Sequence, residues 1–189
     1  GSPPTFWHTA VVRNFVVSAW QPTNRNKLHW SAIGNHASWT IGNDQSDEET
    51  LFDTSEITGI VGGEFGIILC VNKIFQLNFV GGSSIFQIRA IEQERGAIAH
   101  GSIQTVGSET YFLSQDGFCK TNGESTTLIG ENKIDKWFDD SLDQSNILRI
   151  TSGHDPLNKL IFWSYPTTNS SNGNPDRILC YNYSADRWS

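Results

Sequence analysis

Apolar and aromatic positions come in short runs along this chain, separated by clusters of glycine, asparagine, aspartate and proline. Four runs stand out: "FVVSAW" from Phe15, "GIILCV" from Gly66, "TYFLSQ" from Thr110 and "KLIFWS" from Lys159. They begin at 15, 66, 110 and 159, at intervals of 51, 44 and 49 residues, close to the period of about 40–50 residues that marks propeller blades. Each run follows another strand-like segment: "TAVVRN", "ITGIVGG", "GSIQTVG" and "LRITSG". Each is followed by a third, "KLHWSAI", "KIFQLNFV", "GFCKTN" or "RILCYNY", and a fourth, "ASWTIG", "SIFQIRAI", "STTLIG" or "DRWS". The pattern predicts four units of four strands.

The links between strands have hairpin chemistry. Asp116-Gly117 is a strong short hairpin signal, Asn72-Lys73 is a tight link, and Gly34-Asn35, Gly81-Gly82, Asn122-Gly123 and Ser184-Ala185 recur at the third turn. Glycine and asparagine tolerate the positive φ that tight turns demand, and short turns impose antiparallel neighbours. Two connections are longer: the acidic "NDQSDEET" at 43–50, expected as a linker between units, and the polar "PTTNSSNGNPD" at 166–176, expected to project from one rim.

One helix interrupts the strands. In "GENKIDKWFDDSLDQ", Ile134, Trp137, Phe138 and Leu142 fall at i, i+3, i+4 and i+8, an apolar stripe that must dock on the third or fourth unit. The expectation is an all-β fold, a β-propeller-like repeat of about four four-stranded antiparallel blades over 9–42, 57–91, 100–130 and 147–189. A short helix is inserted over 131–142. A β-sandwich has no reason to repeat at this period.

Composition supports strands. Aromatic residues make up 12%, glycine numbers 17 and charged residues are only 17%, and no apolar run is long enough for a membrane-spanning helix. The chain reads as soluble and of one domain over 5–189. Residues 1–4 read as a tag remnant or linker, because a Gly-Ser start in a chain without methionine suggests a piece of a longer protein. The net charge of −7 disfavours tight nucleic-acid binding, which needs a basic surface. Cys70, Cys119 and Cys180 are odd in number and lie within apolar runs, as reduced packing residues do.

The sequence assigns no site: no catalytic, cofactor-binding or metal-ligating residue, and no cofactor. His8, His29, His36, His100 and His154 lack metal-site spacing. His154-Asp155-Pro156 reads as a turn, and Asp139, Asp140 and Asp143 lack the order of a calcium loop. Glu64, Glu92, Glu94 and Glu109 are candidate acids for glycoside hydrolysis, but nothing selects a pair. "SQDGFCKT" approaches the S-x-D-x-G-x-T-W turn of sialidase-type propellers, yet Gly117 comes one position early and Asn122 stands in place of the tryptophan. Trp20, Trp30, Trp39, Trp163 and Trp188 fall at comparable strand positions and read as core rather than as a sugar-stacking platform.

The strings "KLHWSAIGNHASWT", "ITGIVGGEFGIILCVNKIFQLNFVG", "IEQERGAIAHGSIQTVGSETYFLSQDGFCKTNG", "IGENKIDKWF" and "DRILCYNYSADRWS" span nearly the whole chain. In them the chain resembles virion proteins of tailed phages and prophages, relatives of the tail tubular and packaged-DNA-stabilising proteins that join the head portal to the tail. The resemblance implies a non-enzymatic structural subunit located in the virion and assembled in the bacterial cytoplasm. It also implies a homo-oligomer, with phage portal and tail proteins as partners, and a negatively charged conduit that does not trap passing DNA. The alternative is a carbohydrate-binding or glycan-cleaving propeller that recognises a receptor.

Overall fold

The computed structural model describes residues 1–189. The chain is all-β: sixteen strands form four separate four-stranded antiparallel sheets of blade-like form, and no sheet closes on itself. It divides into two compact units, Gly1–Gly96 and Ala97–Ser189, where the sequence pattern treats 5–189 as one domain.

The first unit holds β1 (His8–Val12), β2 (Phe15–Gln21), β3 (Asn24–Trp30) and β4 (Asp47–Thr50). Its second sheet is β5 (Ile57–Val61), β6 (Gly66–Cys70), β7 (Ile74–Phe79) and β8 (Phe86–Glu92). The second unit holds β9 (Gln104–Val106), β10 (Glu109–Ser114), β11 (Gly117–Thr121) and β12 (Thr126–Leu128). Then come the helix α1 (Asp135–Ser141) and β13 (Thr151–Asp155), β14 (Leu160–Tyr165), β15 (Arg177–Asn182) and β16 (Arg187–Trp188). In every sheet sequential strands are neighbours; most links are too short for the crossover that parallel pairing needs, and the longer 31–46 and 166–176 also return the chain antiparallel.

Strand alternation places one face of the first and last sheets inside, whereas β6 and β10 are buried along both faces. In the first unit Phe15, Val17 and Ala19 of β2, with Leu28 and Trp30 of β3, share a core with Ile57, Ile68, Leu77 and Phe86 of the neighbouring sheet. Rings bridge the two sheets: Phe86 meets Phe15 and Trp30 at 5.0 Å each, both edge-on. In the second unit Phe118 of β11 lies 4.7 Å from Trp163 and 5.1 Å from Trp188, and Tyr181 lies 4.6 Å from Trp188. Such pairs add about 0.5–1.5 kcal/mol each beyond area burial. Their polar edges are satisfied too. The Trp163 indole N–H donates to the Ser102 carbonyl at 2.8 Å, and that of Trp188 to the Ile129 carbonyl at 3.2 Å.

The first sheet departs from the expected pattern at its fourth strand. "ASWTIG" is not that strand; the fourth strand is Asp47–Thr50, inside the segment expected as an acidic linker. Residues 31–46 instead form turns in which Gly34, Gly42, Asp44 and Gln45 have positive φ, and they fold Trp39 onto His29 at 5.4 Å. Two other elements also differ. The helix is one turn shorter at its start than 131–142. Of its expected stripe Phe138 and Leu142 are buried and Ile134 packs on the core, while Trp137 is 48% exposed beneath the Arg177 guanidinium. The 166–176 segment is tied down: Thr167 donates from its N–H and hydroxyl to Asp176 at 2.7 and 2.8 Å, and Arg149 donates to the Asn172 carbonyl.

Phe118 is 1% exposed at the centre of the second unit's aromatic contacts and Leu157 is 86% exposed in a turn. Phe118→Ala should therefore lower the unfolding free energy by about 3–5 kcal/mol, and Leu157→Ala should leave it within about 0.5 kcal/mol. Denaturant titration of both variants checks this; equal losses would contradict the packing described.

Candidate functional site

The residues singled out by sequence do not converge. Asp139 accepts from Gln144 at 2.7 Å, Asp140 pairs with Lys136 at 3.2 Å, and Asp143 caps the following 3-10 turn by accepting from the Ser145 N–H at 3.0 Å. No three His, Cys, Asp or Glu side chains come together as a metal-binding group. His29 is buried 3.9 Å from Glu48, and burial pushes its pKa down while Glu48 acts to raise it. His154 and Asp155 end β13 rather than forming a turn, and the His154 ring lies 3.1 Å from the Tyr183 hydroxyl. Glu64 pairs with Arg13, Glu92 with Arg95 and Glu109 with Lys120, each as a local surface contact. Cys70, Cys119 and Cys180 form no disulfide, and burial pushes the Cys70 thiol up to about 11.

The tryptophans divide. Trp30, Trp39 and Trp163 are buried and Trp188 packs on the core, although Trp39 sits in a loop rather than a strand. Trp20 stands at a β-bulge with φ 62, where Glu56 accepts from its indole N–H at 3.4 Å and Arg25 covers its ring. Trp7, 64% exposed, meets it edge-on at 5.2 Å.

One cavity in the second unit does gather chemistry. It has a volume of about 370 Å³ and lies where the β10–β11 hairpin faces α1. Its polar wall is Ser114, Gln115, Asp116, Asp135, Asp139 and Gln144; Phe138, Leu113 and Leu142 are among its apolar residues. The hairpin turn itself is Gln115-Asp116, closed by the pairing of Ser114 with Gly117. Gly117 has φ 120, and a Cβ there would collide with the Asp135 carboxylate; so would one on Gly130. Two missing side chains therefore make the cradle for a third.

Asp135 is fixed from one side only. Its Oδ1 accepts from the Phe118 N–H at 3.1 Å, while its Oδ2 is buried with no hydrogen-bond partner. The Ser114 hydroxyl is likewise buried and unpartnered. Leaving such a group unsatisfied costs about 1–3 kcal/mol, so the cavity holds two acceptors that something else can satisfy. Burial pushes the Asp135 carboxyl up from its ordinary pKa and Glu131 adds to the rise, against the lowering effect of the Phe118 N–H.

Sequence reasoning reached half of this wall. Asp116 and its turn were visible as a hairpin, but Asp135, at the start of a helix, carried no signal. Only the glycines at 117 and 130, far apart in sequence, mark the room it occupies.

A folded pKa above the unfolded value means that the stability contributed by Asp135 is complete below about pH 3.9 and is lost as pH rises through the folded value. Asp135→Asn keeps an acceptor for Phe118 and removes the titration. Its stability should rise relative to the unsubstituted chain across that window and run parallel above it; denaturant midpoints measured from acid to neutral pH that stay parallel throughout would contradict the buried carboxyl. No protein-family model matches the chain, and no curated protein matches it.

Proposed function

We propose that this chain is a non-enzymatic structural subunit of a tailed-phage or prophage virion, at the tail or head-to-tail junction, that assembles with further copies of itself sheet face against sheet face. The observation that carries the reading is the outer face of the last sheet. Along β14 and β15 the inward positions Ile161, Trp163, Tyr165, Leu179 and Tyr181 are all buried. Four of the six alternate positions are apolar as well, Ser164 and Asn182 being the polar ones: Phe162 is 36% exposed and Ile178 63% exposed, with Leu160 and Cys180 half-buried beside them.

An antiparallel sheet facing water ordinarily alternates apolar inside with polar outside. Here Phe162 stands directly opposite Cys180, and Ser164 opposite Ile178, so an apolar band crosses the two central strands. The outer face of the first sheet carries an exposed Val11 opposite Val16 on β1 and β2, but its central positions Ser18, Lys27, His29 and Glu48 are polar, and Trp39 covers His29. A bare apolar sheet face is satisfied by another sheet packed about 10 Å away. A second copy supplies one, the same face of each forming a two-fold pair. The virion setting is supported by the sequence resemblance, and the net charge of −7 suits a channel through which a duplex slides without being held.

Sedimentation equilibrium between about 10 μM and 1 mM should show mass rising with concentration. Phe162→Glu and Ile178→Glu should each return the chain to monomer. Peptides of the chain should also be recovered from purified particles of the phage or induced prophage that encodes it. A monomer at every concentration would contradict self-association through this face; absence from particles would contradict the virion role.

A further inference from the structure

We propose that the cavity between the β10–β11 hairpin and α1 binds a guanidinium group, that of arginine, either free or at the tip of a partner's side chain. This site is separate from the outer sheet face and does not depend on self-association.

Charge sets the sign of the ligand. Asp116, Asp135 and Asp139 line the cavity against one cation, Lys136, whose ammonium is already engaged by Asp140 at 3.2 Å. The two orphan acceptors set its hydrogen bonding. The Ser114 hydroxyl, in a residue 2% exposed, and the Asp135 Oδ2 are both buried without partners. Each can accept from an N–H that the protein itself does not supply. An arriving cation would favour the charged form of the Asp135 carboxyl, opposing the burial that raises its pKa.

Shape and polarity separate the kinds of cation. A metal ion needs several ligands converging on one point, and no three carboxylates, histidines or cysteines do so here. An ammonium is a compact, strongly hydrated point charge. A guanidinium spreads five donors over a plane, is weakly hydrated and stacks on aromatic rings, and its propyl stem lies comfortably on apolar surface. The cavity offers such surfaces in Phe138, Leu113 and Leu142, beside acceptors distributed around its wall. Its volume of about 370 Å³ is at the small end of ligand sites, room for one side chain.

The test is an amide-correlation NMR titration of the whole chain with N-acetyl-arginine methylamide, its uncharged isostere N-acetyl-citrulline methylamide, and N-acetyl-lysine methylamide. The arginine compound should shift the Gly117, Phe118 and Asp135 amides saturably, with a Kd of about 1 mM or lower, and the other two should bind about tenfold more weakly or less. Ser114→Ala and Asp135→Asn, which remove one acceptor each without adding bulk, should each weaken arginine binding about tenfold. Free L-arginine binding more tightly than the blocked compound would assign the ligand to a small molecule; equal or weaker binding would assign it to a side chain of a partner. Absence of saturation at about 50 mM, or citrulline or lysine binding as well as arginine, would overturn the proposal.

Discussion

Every sheet in this protein is a four-stranded meander with an apolar face that water must not reach, and the seam of aromatic rings between paired sheets meets that requirement. In the first unit the seam runs through Phe15, Phe86 and Trp30; in the second it runs through Phe118, Trp163, Trp188 and Tyr181. Turns, caps and surface ion pairs arrange themselves around these contacts. Even the helix is subordinate to the seam: α1 is held by Phe138, whose ring lies 4.8 Å from Phe118 and 4.7 Å from Tyr165. The same demand explains why an uncovered apolar band at Phe162 and Ile178 points to a partner sheet.

Much of this fold was legible in the chain, because strands that bury one face announce themselves by apolar runs and their hairpins by glycine and asparagine. All four central pairs, β2–β3, β6–β7, β10–β11 and β14–β15, overlap the predicted runs, although β3 begins at Asn24, three residues before its run. The fourth strand of the first sheet was not legible for a definite reason. Asp47, Glu48 and Glu49 are residues that strands disfavour, which leaves Thr50 alone to signal one. They are strand because β3 presents Lys27 and His29 to them, with Glu48 opposite His29 in register and 2.5 Å from the Lys27 ammonium. Trp39 and Ile41 carry a better strand signal, but the positive φ of Gly42, Asp44 and Gln45 turns that segment away.

The helix and the candidate site failed to show themselves for a related reason. A period of 3.6 residues identifies a stripe but not which edge of it meets the core, so Trp137 was grouped with Phe138 although only the latter is buried. Asp135 lies outside the stripe of Ile134, Trp137, Phe138 and Leu142, so the periodicity gives it no reason to be buried. Its burial depends on Gly117 and Gly130 standing on either side of it, a relation between residues that are neighbours only after folding. The 166–176 segment is similar: its composition is that of a free loop, yet Asp176 and Arg149 fasten it at named atoms.

The claim on which the rest stands is that four aromatic-sealed meanders, each stiffest at its middle strands, make up the chain. Native-state hydrogen exchange resolved by residue tests it most directly. The slowest amides should fall in four groups, on β2–β3, β6–β7, β10–β11 and β14–β15, with β4, β12 and β16 at the sheet edges exchanging sooner. Strong protection centred on α1, or a sheet with no slow group at all, would contradict it.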